Sequence, residues 1–202
     1  MKKQTVAKRW LNILGRSRKK GRCGPNSQRL CQVERLEDRR LLTVSLPELV
    51  SINSLGNATA SGYSEYTSQS LSGDGRYQVF TSAAPDLVAT DSNGTYDVFL
   101  RDLQTGATTL ISRAAGGVTA DSSSHHAVIS ADGAFVAFQS HATNLDVTGV
   151  NSTSGYSQIY RWQRSTGQIR LVSPNAAGTD GANNYSYEPS INESGMRIAF
   201  RT

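Results

Sequence analysis

Short apolar runs, each entered through a polar turn, recur along this chain. Phe135-Val136-Ala137-Phe138 is apolar at successive positions and follows Ile129-Ser130-Ala131-Asp132-Gly133. The same arrangement stands 58 residues earlier, where Leu71-Ser72-Gly73-Asp74-Gly75 precedes Tyr77-Gln78-Val79-Phe80. It returns 62 residues later, where Ile191-Asn192-Glu193-Ser194-Gly195 precedes Ile198-Ala199-Phe200. A glycine free to take positive φ behind Asp or Ser makes a turn, and the aromatic and β-branched residues after it make a strand. Apolar residues on both sides of that strand predict that both of its faces are covered.

The rest of the unit repeats as well. Asp97-Val98-Phe99-Leu100-Arg101-Asp102 with Thr105-Gly106 aligns with Gln158-Ile159-Tyr160-Arg161-Trp162-Gln163 and Thr166-Gly167, 61 residues on. Leu49-Val50-Ser51, Leu110-Ile111-Ser112 and Leu171-Val172-Ser173 share that interval. Each unit therefore reads as four strands. In the first they are Thr67 to Leu71, Tyr77 to Ser82, Asp97 to Asp102 and Thr108 to Ser112. In the second they are Ala127 to Ile129, Ala134 to Ser140, Ser157 to Gln163 and Gln168 to Ser173. Thr105-Gly106 and Thr166-Gly167 supply tight hairpins, so the sheets are antiparallel meanders. A period near 60 with four strands suits a looped propeller blade.

The fold class expected is all-β, an incomplete β-propeller of four-stranded antiparallel blades: a closing strand, two full blades and the start of a third. Leu49-Val50-Ser51 is an outer-strand sequence that precedes any inner strand, as when an N-terminal strand completes a last blade. Closed propellers have at least four blades, so a longer reading frame is expected.

Composition agrees with turn-rich β structure: 37% hydrophobic and 18% charged residues, with 18 glycines. The net charge of +5 divides unevenly. Residues 1–44 carry 13 Lys/Arg against 3 Asp/Glu, and residues 45–202 carry 8 against 13. Two domains follow, a basic, largely disordered N-terminal segment over 1–44 and the partial propeller over 45–202. No apolar run is long enough to span a bilayer, and the patch Trp10-Leu11-Asn12-Ile13-Leu14 is too short for a secretory core. The run Arg16 to Arg22 could meet phosphate backbones, but no aromatic interleaving accompanies it, and nucleic acid is not the expected partner. Cys23 and Cys31 have poor metal spacing and read as incidental thiols.

Candidate chemistry is sparse. Asp91, Asn93 and Asp97 place oxygens at positions 1, 3 and 7 around Gly94, like part of a calcium loop. Leu103 to Thr105 offers no closing carboxylate, and Val150 to Gly155 in the second unit has none at all, so loop-forming hydrogen bonds are the simpler account and no metal or other cofactor is expected. His125-His126 lacks a nucleophile elbow or ligand spacing. Asp74 and Asp132 recur with the turns and read as turn formers. Tyr63, Tyr66, Tyr156, Tyr185 and Tyr187 lie near blade loops and are the candidate contact residues.

Two resemblances sharpen this picture. Ser-x-Asp-Gly before an apolar strand, then Asp97 to Asp102 with Thr105-Gly106, then Leu110-Ile111-Ser112, resembles the PD40 repeat of TolB-like β-propellers over about residues 45–202. The second unit matches at Ser130 to Phe138 and departs at Gln158 and Gln163, where it lacks the aspartates. Within Val33 to Leu42, residues Leu36, Glu37, Arg39, Leu41 and Leu42 are similar to the LEPR-XLL motif, with Asp38 in place of its proline. That motif implies sorting on exported proteins of repetitive build. Together they imply a non-enzymatic, extracytoplasmic scaffold in the periplasm, at the cell surface or secreted, that binds a protein partner. The alternative is the propeller portion of a larger peptidase whose catalytic domain lies outside this chain.

Overall fold

The computed structural model describes residues 49–114, 116–145, 150 and 152–202. The basic segment, its Leu36 to Leu42 motif and the boundary at residue 44 lie outside the described residues. Ten strands form three sheets and no helix occurs among the described residues.

Blade one is β1 (Ser64–Glu65), β2 (Tyr77–Ser82), β3 (Asp97–Asp102) and β4 (Ala107–Leu110), paired in chain order. Blade two repeats that order with β5 (Ser124–Ile129), β6 (Phe135–Ser140), β7 (Gln158–Gln163) and β8 (Ile169–Leu171). A third sheet pairs β9 (Tyr187–Ile191) with β10 (Ile198–Arg201). All pairings are antiparallel. The protein is an incomplete β-propeller, with two full blades and the inner pair of a third.

Strand alternation puts successive side chains on opposite faces, and each face of a blade meets a neighbour. Tyr77, Val79, Val98, Leu100 and Ile111 of blade one share a core with Val136, Phe138, Tyr160, Trp162 and Ile169 of blade two. Within it the Phe138 and Tyr160 rings stack with centroids 6.0 Å apart. Blade one's other face carries Phe80, Phe99 and Leu110, covered by Val50 and Ala60. Blade two's other face sets Val128 and Ala137 against Ile191, Phe135 and Ile198. The unbroken apolar run of β6 thus serves two interfaces at once.

The polar turns are built alike. Ser72 Oγ donates to Asp74 Oδ1 (2.6 Å), which also accepts from Arg76 N (3.0 Å), while Tyr77 N donates to Ser72 Oγ (2.9 Å). Ser130, Asp132, Ala134 and Phe135 repeat the pattern at 2.5, 2.9 and 3.0 Å. The serine hydroxyl holds each aspartate below the usual carboxylate range, so both are turn formers. The turns also stack: Gly73 N donates to Ala131 O at 2.8 Å. Gly133, at φ 65°, lies so close to Tyr77 that a Cβ there would sit 2.8 Å from its ring.

Arg164 fastens the two blades from outside. Its Nε donates to Gly133 O (2.8 Å), Nη1 donates to Tyr77 Oη (2.8 Å), and the guanidinium lies 4.3 Å from the Tyr77 ring centroid. Arg164→Ala is expected to lower stability by about 1–2 kcal/mol, read as a lower urea midpoint at unchanged slope. A loss below a few tenths would show that the clasp is solvated away.

Three expectations need correction. The inner strand of blade one is not Thr67 to Leu71 but the two-residue β1, with a lone bridge between Leu71 and Gln78. Two more residues separate Glu65 from Leu71 than separate His125 from Ile129. The excess leaves its own sheet for the neighbours: Thr67 Oγ1 donates to Ala127 O (2.7 Å), Gln69 Nε2 to Ile191 O (2.6 Å), and Gln69 O accepts from Ile129 N (3.0 Å). In blade two, β5 instead begins at Ser124, running through a bulge at His126, whose φ is 52°. The outer strands stop at Leu110 and Leu171, because the hydroxyls of Ser112 and Ser173 take over from the ladder and accept from Val98 N and Ile159 N, both at 2.9 Å. The closing strand is a single bridge, Ile52 to Thr59, placed like Arg113 to Thr119 and Pro174 to Gly181 after the other outer strands.

Candidate interaction surface

In a meander the inner strands of all blades begin at one end, and there β2 and β6 finish and β3 and β7 start. In or beside this end lie Tyr63, Tyr66, Tyr96, Tyr156, Tyr185 and Tyr187 together with His125, His126 and His141. The five tyrosines singled out from the sequence are all exposed, Tyr63 and Tyr66 most of all at 84% and 78%. Polar loops leave rings out here because their backbones are already engaged: Tyr63 O accepts from Ala83 N (3.0 Å) and Ser82 Oγ (2.9 Å).

The structure brings some of these residues together and not others. Tyr156 and Tyr185 meet edge to face at 4.9 Å, and His141 lies 6.3 Å from Tyr185. Tyr187 opens β9 opposite Arg201. Tyr63 and Tyr66 flank β1 and have no ring contact with the other three among the described residues. Tyr96, His141 and Glu65 join the surface without having been singled out, and so does His125, which the sequence offers only as a catalytic candidate without support. The signal was present, since every histidine of the chain falls in this part of the repeat. Tyr96 packs on His125 at 5.0 Å, and His125 Nδ1 is 3.6 Å from Glu65 Oε1. Burial lowers His125 below the usual imidazole value despite Glu65, so the ring is neutral near pH 7 and the contact is polar rather than ionic.

The Asp91 to Asp97 loop lies at the same end. Asn93 Oδ1 accepts from Thr95 N (2.9 Å) and Asn93 Nδ2 donates to Ala120 O (3.0 Å), which is the loop-holding role expected of it. Asp97 is fully buried at the start of β3, where Oδ1 accepts from Ser112 Oγ at 2.6 Å. Burial pushes its carboxyl up to about 6, with Ser112 and Asn93 acting against that rise and the Asp91 charge adding to it. The carboxylate twelfth from the loop start, Asp102, is at the opposite end of β3. It is held there by Arg76 (2.8 Å), which keeps it well below the usual carboxylate range. It cannot close a calcium loop with Asp91.

A groove of about 430 Å³ between Tyr77, Leu100, Arg113, Trp162 and Arg164 is separate from this surface, and Arg164 is already engaged there by Gly133 and Tyr77. No helix among the described residues is long and apolar enough to cross a membrane.

Two four-stranded meanders stacked face to face, with a third begun, define a β-propeller protein. No family model matches the sequence, and no curated protein matches it significantly. Among solved structures, the chain is similar to a TolB of Agrobacterium tumefaciens (16% identity, TM-score 0.42, covering 69% of this chain and 37% of that one). It is similar to TolB from Acinetobacter baumannii (19%, 0.40, 70% and 26%) and to the tricorn protease (16%, 0.38, 65% and 10%). The chain thus spans well under half the length of each.

Proposed function

We propose that this protein is a non-enzymatic interaction scaffold that works outside the cytoplasm and binds a protein partner through the inner-strand end of its blades. The observation that carries this is the exposure of Tyr63, Tyr66, Tyr156, Tyr185 and Tyr187 at one end of the blades. Tyrosine offers large amphipathic contact area at small entropic cost and is enriched in binding hot spots. A non-catalytic role is supported by the engagement of the carboxylates: Asp74 and Asp132 in turns, Asp102 with Arg76, and Asp180 with Thr153. The extracytoplasmic part rests on the similarity at Leu36, Glu37, Arg39, Leu41 and Leu42 to a sorting motif.

The test is site-specific photo-crosslinking in the native cell envelope. A photoreactive residue at Tyr66 or Tyr185 is expected to trap one discrete partner, whereas the same residue at Met196, exposed on the opposite end, traps none. The double change Tyr156→Ala and Tyr185→Ala is expected to weaken recovery of that partner about 30-fold. Equal trapping at both ends, or none at either, would count against the proposal.

A further inference from the structure

Position 97 and its counterpart, position 158, solve one structural problem in two ways. In blade two the fully buried Gln158 accepts at Oε1 from Ser173 Oγ (2.6 Å). Its other arm, Nε2, donates to Ala182 O (3.0 Å) and Asn184 O (3.1 Å). The amide thus supplies positive hydrogens to a pair of carbonyls between the outer strand and the next inner one. In blade one, Ser112 Oγ makes the equivalent 2.6 Å bond to Asp97 Oδ1. The arm that corresponds to the donating Nε2 is then Asp97 Oδ2, a buried acceptor without a hydrogen-bond partner.

Two more acceptors in the same loop share that condition. Asp91 Oδ1 and Thr95 Oγ1 are buried and lack hydrogen-bond partners. The side-chain amide of this loop, Asn93 Nδ2, is given to Ala120 O (3.0 Å), and the three oxygens, first, fifth and seventh in Asp91-Ser92-Asn93-Gly94-Thr95-Tyr96-Asp97, are left buried without a hydrogen-bond partner. Buried carboxylate oxygens are costly unless something positive stands among them.

We propose that blade one holds a hard divalent cation of the calcium class, bound by Asp97 Oδ2, Asp91 Oδ1 and Thr95 Oγ1. Calcium takes six to eight oxygens in flexible geometry and accepts hydroxyl, carbonyl and water ligands beside two carboxylates. The missing acid in the second unit, which from the sequence argued against a metal, becomes part of the case for one, because Gln158 makes a cation there redundant. In blade two Gly181 packs closely on that side chain: a Cβ there would meet Gln158 Cγ at 2.9 Å.

The test uses the full 202-residue chain, with calcium chloride at millimolar concentration set against EDTA. Calcium is expected to raise the melting temperature by about 5 °C, and terbium is expected to show luminescence sensitised by Tyr96. Asp97→Gln, which installs blade two's solution, is expected to abolish both responses while melting in EDTA at or above the wild-type temperature. Asp91→Asn is expected to lose both responses as well, and it keeps the test intact should Asp97→Gln misfold. Identical wild-type melting in calcium and EDTA, or terbium emission as strong in Asp91→Asn as in the wild type, would overturn the proposal.

Discussion

Phe138→Ala is expected to cost about 3–5 kcal/mol of folding stability. The ring is completely buried, stacks on Tyr160, and lies in the cluster that joins Val79 and Leu100 of blade one to Val136 and Trp162 of blade two. Truncation removes its transfer free energy and leaves a void that two stacked sheets are poorly placed to fill. Most domains are stable by only about 5–15 kcal/mol, so little of the margin would remain. Phe135→Ala, three residues earlier on the other face and only partly buried, is expected to cost about 1–2 kcal/mol. Urea unfolding followed by far-ultraviolet circular dichroism compares the two. Equal losses would mean that the contact between blades one and two is not the principal core.

Gln158→Ala is expected to be nearly as damaging, again about 3–5 kcal/mol, for a different reason. The amide serves Ser173 Oγ, Ala182 N, Ala182 O and Asn184 O together. Removing it leaves buried polar groups unsatisfied, at about 1–3 kcal/mol each, besides opening a cavity. Gln158→Leu restores the volume but not the hydrogen bonds, and it is expected to recover less than half of the loss. If it recovers nearly all, packing rather than polarity governs the position. Both variants can be read from equilibrium unfolding.

Strands two and three of each blade were legible almost to the residue, because a turn fixes where β2 and β6 begin and an apolar run fills both faces. The first inner strand was not. Thr67 and Gln69 look like ordinary strand residues, and only the neighbouring sheets reveal that they bond to Ala127 and Ile191. The outer strands looked longer than they are because a serine hydroxyl replacing a backbone group leaves no trace in a hydrophobicity pattern. At the surface, the exposure of the five tyrosines followed from their place in polar loops. The partnership of Tyr96 with His125 did not, because it joins the residue before β3 to one in the next blade's inner strand. Gln158 looked like the decay of a repeat, whereas in three dimensions it is the best-satisfied side chain of its blade interior.

The stacked turns carry an implication for how such a chain can change over generations. From Leu71 to Tyr77, Ile129 to Phe135 and Ile191 to Arg197 the spacing is constant, and so is that from Asp102 to Ala107 and Gln163 to Gln168. At that end Gly73 bonds to Ala131, and Gly133 closes on Tyr77, leaving no slack for an added residue. Every difference in repeat length is therefore pushed to the tyrosine-bearing end: three more residues between Ser140 and Gln158 than between Ser82 and Asp97, and two fewer between His125 and Ile129 than between Glu65 and Leu71. Lengthening a free loop costs only about 0.6 kcal/mol per doubling. One end of the molecule is frozen by its neighbours, and the other is open to insertion, so new recognition loops can be acquired there without renegotiating the fold.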